Sequence, residues 1–445
     1  MLWIFYLLIK NMKRTKKLFL SSQSFGFGPS AELINISKKL SSLADFENYQ
    51  YTFYNTPEIQ AILKITKSNF QLTSSDNGEG IMGYLRENKS SIDGIISSYD
   101  AASIFYGWFH NIPSFFYDGM LSFWDIEKFE EEIPQTLATF QKLKNDRDEE
   151  GIVQLYEEIT KENHHKSIFL AYFLATKNFA RGGDNPEKKL VKFPSLQQKT
   201  KIVGGIMNPE IPSGENFERD HILVSLSGSI VPTVTFEQSI QLTKNTIDFV
   251  KEASKAATNL PWIVAINPKS FSHLKADGYL SDLPNHIQVR ESFSSDENLK
   301  SIRTAKAVLI SPGFSTIHEA AYYKTPVIFL PEQNGGQPVG YTKLKKEGYS
   351  AIPNLTVAEN IGGNSTIDFN EFGMSQLYDL SNQLYNSDTF STLRSSIREL
   401  IYQIINNQKV AEKIGDDQYN SIKKIIGGFQ GAEEISEGIQ NSLNL

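Results

Sequence analysis

Cysteine is absent from the 445 residues of the sequence. Disulfide bonds, zinc ribbons, thiolate nucleophiles and thiolate-bound iron–sulfur clusters are therefore excluded. An excess of positive charge is absent too, because 44 Lys and Arg residues stand against 51 Asp and Glu residues, for a formal net charge of -7. No overall basic field attracts nucleic acid, so we expect a small-molecule partner. The absence of cysteine is compatible with the cytoplasmic location that we expect.

The apolar stretch at the start of the chain is too short to span a membrane. Residues 1–9 are almost wholly apolar, but a spanning helix needs about 20 such residues. A signal peptide would carry its positive charges before the apolar stretch, whereas here they follow it. Two starts stay open. Met12 opens a basic run that leads into a predicted strand, whereas Met1 would add an apolar tip that predicts peripheral contact with a membrane surface.

Short apolar strands alternate with amphipathic helices in both halves of the chain. Strands are predicted at residues 18–21, 49–54, 94–98 and 114–117 in the first half, and at residues 222–226, 262–266, 287–289, 308–311 and 327–330 in the second. This alternation is typical of an α/β protein with parallel sheets.

The sequence also predicts where the domains divide. Pro209, Pro212 and Gly214 lie in a polar stretch that separates the apolar residues 202–206 from the predicted strand at residues 222–226. We therefore predict a first Rossmann-like domain at residues 12–210 and a second at residues 211–375. Helices in residues 376–445 are expected to pack back across the domains.

The most informative segment joins a buried strand to a helix, predicted at residues 316–323, through Gly313. Unpaired N–H groups at a helix start bind anions, and Gly313 lets a ligand approach the backbone closely. A pyrophosphate there would be held by Gly313, Ser315 and Thr316. Glu319, one turn into the helix, would accept hydrogen bonds from a ribose.

A structural alternative explains two of the same residues. Thr316 and Glu319 are spaced as a capping box, in which Thr316 caps the helix and Glu319 reaches back to the N–H of the capping residue. His318 between them is expected to pack rather than to react. On this alternative the segment holds no ligand.

A resemblance favours the functional interpretation. The stretch from Ser311 to Pro331, S-P-G-F-S-T-I-H-E-A-A-Y-Y-K-T-P-V-I-F-L-P, resembles the donor-nucleotide segment of glycosyltransferases of the GT-B fold. The likeness is greatest to the group of the lipid II UDP-N-acetylglucosamine transferase and the diacylglycerol glycosyltransferases. It implies two Rossmann-like domains that face a central cleft.

The resemblance also implies roles for single residues. Glu319 would hold the ribose, Ser315 and Thr316 the phosphates, and Gln337 the hydroxyls of the donor sugar. After Gln337, Leu344 and Gly348 fall at intervals that match the family.

Two weaker matches lie elsewhere in the second half. Ser227 and Gly228 follow a predicted strand and are similar to the family's phosphate loop. Phe293 follows another strand, where the family places a residue whose backbone contacts the base. An ordinary turn at the end of a strand is the alternative for each.

The first half matches the family less well. The glycine-rich loop after the first strand reads S-F-G-F-G-P-S over residues 24–30, with Pro29 roughly where the family often has a histidine. An inverting transfer needs a base within reach of the acceptor hydroxyl. Asp100 and Asp118, each at the end of a predicted strand, are the candidate catalytic residues. Either could instead cap a helix or belong to a turn.

The resemblance thus implies an inverting glycosyltransferase that takes its sugar from a nucleotide sugar, with UDP as the expected nucleotide. Neither a metal nor a further cofactor is implied, since the one D-x-D pair, Asp146 and Asp148, lies in a charged run that favours a solvated loop. The acceptor, whether a small molecule, a glycan or a lipid, stays open. Alternatives are a nucleotide-sugar hydrolase or 2-epimerase of the same fold, and a non-catalytic transferase-like subunit, which the missing loop histidine would favour.

Overall fold

Strands and helices alternate along the chain, and the predicted α/β class is confirmed. The computed structural model describes residues 15–23, 27–46, 49–63, 70–73, 80–121, 124, 126–183, 186–211, 217–226, 234–346, 348–349, 352–361 and 374–443. The chain divides into two units. The first consists of Met1–Glu210 with Phe429–Leu445, and the second of Ile211–Gly428.

Seven parallel strands form the sheet of the first unit. They are β1 (Lys17–Ser22), β2 (Gln50–Phe53), β3 (Phe70–Leu72), β4 (Gly94–Ser98), β5 (Ser114–Asp118), β6 (Lys177–Arg181) and β7 (Thr200–Val203). Their order is β3-β2-β1-β4-β5-β6-β7, so the direction of winding reverses between β1 and β4.

Side chains of β1 show why this sheet has a core on each face. Successive residues of a strand point to opposite faces, and here Leu18 and Leu20 join one apolar cluster while Phe19 joins the other. All three are buried. A strand that is covered on both faces reads as a continuous apolar run, which made β1 predictable.

Nine α-helices in the described part of the first unit come before the second unit in the sequence. They are α1 (Phe27–Ser41), α2 (Pro57–Ile62), α3 (Gly80–Asn88), α4 (Ala101–Phe109), α5 (Ile133–Asp146), α6 (Glu149–Glu162), α7 (His164–Leu174), α8 (Pro186–Val191) and α9 (Pro194–Lys199).

Five parallel strands form the sheet of the second unit. They are β8 (His221–Ser225), β9 (Trp262–Ile266), β10 (Ile287–Glu291), β11 (Ala305–Ile310) and β12 (Val327–Phe329). Their order is β10-β9-β8-β11-β12. The winding reverses between β8 and β11, as it does between β1 and β4.

Helices surround this second sheet and extend beyond it. They are α10 (Phe236–Ala253), α11 (Pro268–Ala276), α12 (Ser295–Thr304), α13 (Phe314–Tyr322), α14 (Gly336–Lys346), α15 (Val357–Asn360), α16 (Met374–Tyr385), α17 (Asp388–Asn406) and α18 (Gln408–Ile426). Apolar side chains of α16 and α17 join the core of the second unit.

The last helix, α19 (Gly431–Leu443), belongs to the first unit and packs on α1. Gly431 lets the start of α19 lie close to the backbone after β7, because a Cβ there would lie 2.2 Å from the carbonyl oxygen of Gly204. Within the described residues, no helix combines the length and the apolarity that crossing a membrane requires.

Candidate functional site

The second sheet has its topological switch point between β8 and β11. Ligands of open α/β sheets bind outside the carboxyl ends of the strands at such a point. The segment after β11 leads to Gly313 and α13. The segment after β8 contains Ser227 and Gly228, which lie outside the described residues.

Helix α13 begins at Phe314 and not at Thr316, so the predicted helix start is wrong. Gly313 is the N-cap, with φ -81° and ψ 129°, and its carbonyl accepts the N–H of Ile317 at 3.0 Å. Thr316 is therefore the third helical residue and Glu319 the sixth, a placement that does not form the capping box considered above. The ring of Phe314, the first helical residue, packs so closely on Gly340 that a Cβ on Gly340 would lie 2.5 Å from it.

The first turn of α13 has the features of an anion site. The first N–H groups of a helix have no acceptor within the helix, and they point out of its N-terminus. A side chain at the N-cap often accepts those of the second and third residues, which here are Ser315 and Thr316. Gly313 has no side chain, so it cannot accept these two N–H groups, and another acceptor can bind there.

Gln337 lies beside this helix start. Its Oε1 accepts the backbone N–H of Gln333 at 2.5 Å, which fixes the orientation of the amide. Its Nε2 faces Gly313, since a Cβ on Gly313 would lie 3.6 Å from that nitrogen. The Oγ of Ser311 donates to the carbonyl of Pro331 at 2.7 Å and ties the end of β11 to the end of β12. An amide donor and the N-terminus of α13 thus lie side by side at the sheet edge.

Glu319 is half-buried on the next turn of α13. Burial raises the pKa of Tyr323, and the charge of Glu319 raises it further. Phe293 lies in the turn between β10 and α12, at the carboxyl end of the edge strand. The guanidinium of Arg290 lies 4.1 Å from the centre of its ring. The roles predicted for Glu319 and Phe293 toward a nucleotide stay predictions.

Glu332, just after β12, is a buried acid that the sequence analysis did not identify. Its side chain is fully buried and accepts the N–H groups of Val357 at 2.6 Å and Ala358 at 3.1 Å. Burial raises its pKa to about 7, although these two hydrogen bonds favour the charged form. The contacts indicate a structural role, in which Glu332 holds the start of α15 against the sheet.

In the first unit, Asp100 is the N-cap of α4 at the end of β4. Its two carboxylate oxygens accept the N–H groups of Ala102 and Ser103, each at 3.2 Å. Tyr99 before it adopts the left-handed region with φ 61°, which is unusual for a residue with a side chain. Asp100 thus has a capping role, and its predicted catalytic role stays a prediction.

Asp118, the other predicted base, lies in a buried polar network. It accepts hydrogen bonds from the N–H of Met120 at 2.6 Å, from Nε1 of Trp124 at 2.7 Å and from the hydroxyl of Tyr172 at 2.9 Å. Its side chain has no exposed surface, and burial raises its pKa to about 6. These contacts give Asp118 a structural role, and its predicted catalytic role stays a prediction.

The same network contains the ion pair of Arg181 with Glu32, in which the nitrogen and oxygen atoms are 3.0 Å apart. Arg181 also donates to the carbonyl of Gly119 at 2.8 Å. Burial raises the pKa of Glu32, and the charge of Arg181 opposes that shift. Buried charges persist only when they are paired in this way, so the network fixes the ends of β5 and β6.

One histidine that the sequence analysis missed lies at the switch point of the first sheet. Nε2 of His164, at the start of α7, lies 2.5 Å from Nε2 of Gln23, which follows β1. Burial lowers the pKa of His164, and the charge of Asp100 opposes that shift. Gln23 and His164 thus lie in contact where β1 and β4 diverge, and Asp100 follows β4 at the same edge of the sheet.

No protein-family model matches the chain, and no curated protein matches its sequence. Solved structures do match. S. aureus MnaA in a co-structure with UDP superposes with a TM-score of 0.55 at 12% identity, over 97% of this chain and 98% of that chain. The UDP-GlcNAc 2-epimerase from Neisseria meningitidis bound to UDP-GlcNAc gives 0.52 at 11% identity, over 96% and 100% of the two chains. Phytolacca americana UGT2 complexed with UDP-2fluoro-glucose and pterostilbene gives 0.50 at 13% identity, also over 96% and 100%.

The chain has a GT-B-like fold. At these identities the likeness concerns the fold alone. Within this GT-B-like fold, each sheet brings a polar cluster to its own switch point, with Gly313 in the second unit and Asp100 in the first. Among the described residues, no group of three His, Asp or Glu side chains is arranged to hold a metal ion.

Proposed function

We propose that the protein is a glycosyltransferase that binds a UDP-sugar at the carboxyl edge of the second sheet and transfers the sugar to an acceptor hydroxyl. One observation carries the proposal, namely that Gly313 starts α13 at the switch point without a side chain of its own to accept the N–H groups of the first turn. A diphosphate is the kind of ligand that such a helix start binds.

The neighbouring side chains would bind the rest of the donor. Gln337 presents an amide nitrogen beside Gly313, where it would donate to the sugar hydroxyls. Glu319 would accept hydrogen bonds from the ribose. The resemblance of the segment from Ser311 to Pro331 to glycosyltransferase donor sites supports the role of Glu319, and the matching interval from that segment to Gln337 supports the role of Gln337.

The same N–H groups would assist the reaction. When the sugar leaves the diphosphate, negative charge develops on the leaving oxygen, and fixed donors stabilise it. In comparable oxyanion sites the loss of one such donor costs about 2.7–4 kcal/mol in the barrier. The transfer would be a direct, inverting displacement that uses helix N–H groups in place of a metal ion.

Calorimetric titration with UDP, GDP and dTDP tests the donor half of the proposal. We expect UDP to bind best, because the structures of similar fold hold UDP, UDP-GlcNAc or UDP-2fluoro-glucose. The acceptor would be a small molecule, a glycan or a lipid. Failure of all three nucleotides to bind would refute the proposed function.

A 2-epimerase is the second candidate, and the match to the Neisseria meningitidis enzyme over nearly the whole of both chains supports it. NMR analysis of the products separates the two. A transferase releases UDP in proportion to the glycosylated acceptor, whereas a 2-epimerase interconverts UDP-GlcNAc and its C2 epimer with no acceptor present. Free sugar as the main product would identify a hydrolase.

A further inference from the structure

We propose that Gln337 is a phosphate ligand, whose side-chain amide donates a hydrogen bond to a diphosphate bound at the start of α13. The proposal rests on the proposed function and adds a contact to it, because the resemblance relates Gln337 only to the hydroxyls of the sugar. The carrying observation is that Gln337 is only 8% exposed and directs Nε2 at Gly313, the N-cap of α13. That nitrogen donates to no other described residue.

One hydrogen bond determines which end of the amide faces the start of α13. The backbone N–H of Gln333 can only donate, so the side-chain atom of Gln337 that lies 2.5 Å from it is the oxygen, Oε1. A flipped amide would direct an N–H group at another N–H group. Nε2 therefore faces Gly313, and both of its hydrogens are available to a ligand.

The amide nitrogen lies beside the position that a capping oxygen takes. A capping side chain extends from the Cβ of the N-cap residue and accepts N–H groups of the first turn. A Cβ on Gly313 would lie 3.6 Å from Nε2 of Gln337 and 3.9 Å from the carbonyl oxygen of Ser311. That carbonyl already accepts the N–H of Gly313 at 2.6 Å. A ligand oxygen that binds the first turn of α13 would therefore come within reach of Nε2.

The start of α14 offers a ligand this side chain and not its backbone. Oδ1 of Asn334 accepts the N–H of Gly336 at 3.1 Å, and the carbonyl of Asn334 accepts the N–H of Gln337 at 3.1 Å. The third helical residue, Pro338, has no N–H. Helix α14 thus satisfies its own first N–H groups, whereas α13 leaves its first N–H groups without a side-chain cap.

Packing holds the two helix starts together. The ring of Phe314 lies against Gly340, three residues after Gln337, and a Cβ on Gly340 would lie 2.5 Å from that ring. The hydrogen bond from Gln333 fixes the side chain of Gln337 in addition. A donor that is already oriented loses little conformational entropy when a ligand binds, so the arrangement suits tight binding.

A phosphate oxygen is the acceptor that matches such a donor best. The amide N–H groups can only donate, and an ionised phosphate oxygen only accepts and is charged. A hydrogen bond to a charged acceptor is about twice as strong as one between neutral groups. Because Nε2 has two hydrogens, one can bind the phosphate while the other binds a hydroxyl of the sugar.

Calorimetric titration of the full-length protein with UDP, UDP-glucose and inorganic pyrophosphate tests the proposal. Loss of a hydrogen bond to a charged group corresponds to about 10- to 150-fold in affinity. We expect Gln337→Ala to weaken the binding of all three ligands by a factor in that range. If Gln337 binds only the sugar, UDP-glucose alone should bind more weakly, while UDP and pyrophosphate bind as they do to the parent. That result would overturn the proposal.

Gln337→Glu separates the lost donor from damage to the loop. Glu keeps an oxygen that can accept the N–H of Gln333, but it puts a negative charge where the amide nitrogen was. UDP and pyrophosphate should therefore bind even more weakly than to Gln337→Ala. Asn334→Asp is the matched control, because it makes the same change in a side chain whose oxygen binds Gly336. It should weaken UDP binding by less than about threefold, and equal losses in the two acidic variants would contradict a specific role of Gln337.

A second measurement needs no ligand. In Gly313→Asp the new carboxylate stands in for the anion at the cap position. If Nε2 reaches that position, Gln337→Ala should lower the melting temperature more in Gly313→Asp than in the parent, and the double-mutant cycle detects this difference. Equal decreases in the two backgrounds would overturn the proposal.

The two measurements separate failure of this inference from failure of the proposed function. If the parent binds pyrophosphate but no nucleotide, the proposed function fails, and pyrophosphate binding by Gln337→Ala decides the inference. If the parent binds neither, the proposed function fails as well, and the melting temperatures decide whether Nε2 reaches the cap position. If UDP binds equally well to the parent and to Gln337→Ala, the inference fails while the proposed function stands.

Discussion

Helices α4 and α13 occupy the same place in their sheets, yet they begin differently. Each follows the strand that lies across the switch point, β4 in the first unit and β11 in the second. At the N-cap of α4, the carboxylate of Asp100 accepts the N–H groups of Ala102 and Ser103. At the N-cap of α13, Gly313 leaves the corresponding positions, Ser315 and Thr316, without a cap from its own side chain.

This difference concerns what the N-terminus of each helix can still bind. In the first unit the protein supplies the anion itself, in the carboxylate of Asp100. In the second unit Gly313 supplies no such group, and in the proposed function a diphosphate, which has the charge and the acceptors to bind there, would take its place. The residue at the cap thus decides whether the protein's own side chain caps the first turn of the helix.

The largest expected effect comes from giving the second unit the cap of the first. In Gly313→Asp the new carboxylate should accept the N–H groups of Ser315 and Thr316 and repel a diphosphate. Each hydrogen bond to a charged group contributes about 1.5–3 kcal/mol, so loss of both should weaken UDP binding by about 3–6 kcal/mol in calorimetry. Folding stability should hardly change, because Asp is at least as good an N-cap as Gly.

Gly313→Ala is the control for that substitution. Its Cβ would lie 3.6 Å from Nε2 of Gln337 and 3.9 Å from the carbonyl oxygen of Ser311, which are ordinary contacts. The N–H groups stay available, so its loss of affinity should be clearly smaller. UDP binding by Gly313→Asp that equals the parent would show that the α13 start is not the phosphate site.

The next prediction compares how the folding stability of each unit depends on pH, because each unit contains a buried acid with a raised pKa. Asp118 has a folded pKa of about 6 against an ordinary 3.8, and Glu332 one of about 7 against 4.5. For an acid whose pKa is raised by folding, the stabilisation is complete below the ordinary pKa and is lost as pH rises through the folded one. A pKa difference of one corresponds to about 1.4 kcal/mol. The first unit of the protein should therefore lose up to about 3 kcal/mol of folding stability by pH 6, and the second unit up to about 3 kcal/mol by pH 7.

Pulse proteolysis in urea, with mass spectrometry of fragments from each unit, measures the two losses separately. Glu332→Gln should flatten the pH dependence of the second unit between pH 4.5 and 7 and leave that of the first unchanged. Asp118→Asn should flatten only part of the first unit's dependence, because burial also raises the pKa of Glu32. A second unit whose stability is independent of pH in the parent would contradict the raised pKa of Glu332.

A smaller effect is expected from Glu319→Gln. If Glu319 accepts hydrogen bonds from the ribose, loss of its charge should weaken UDP binding by about 1.5–3 kcal/mol. Stability should fall by less than about 1 kcal/mol, because Glu319 is the sixth helical residue and does not cap α13. Glu252→Gln, a surface substitution in α10, serves as the calorimetric control. Unchanged affinity in Glu319→Gln would remove the ribose assignment.

The smallest expected effect is that of a chelator. If helix N–H groups stabilise the leaving diphosphate, turnover of a UDP-sugar should continue in excess EDTA at the rate measured without it. Complete loss of turnover that magnesium restores would place the enzyme in a different transferase class.

More of the second unit's candidate site than of the first's could be predicted from the sequence. Gly313 and Gln337 belong to one contiguous segment, and the alternation of strand, glycine and helix reveals a helix start from local pattern alone. The start of α13 was predicted two residues too late, because Thr316 and Glu319 have the spacing of a capping box, whereas Gly313 is the N-cap. Glycine is also a common N-cap residue, so the two positions compete in the local sequence.

In the first unit the informative contacts are distant in sequence. His164 and Gln23 are 141 residues apart, and neither lies in a recognisable motif. Strand β6 was missed because Asn178 and Arg181 make it look polar, although Arg181 is buried by its pairing with Glu32. Strand β3 was missed because it has only three residues.

The return of α19 to the first unit bears on the order in which the chain folds during translation. Residues 27–41 of α1 cannot meet their partner in α19 until the final residues leave the ribosome. Residues 211–428 form one continuous stretch and have all their partners earlier. At about 5–20 residues per second of synthesis, the first unit waits about ten seconds or more for its last helix. The part of the protein that is made first is therefore the part that is completed last.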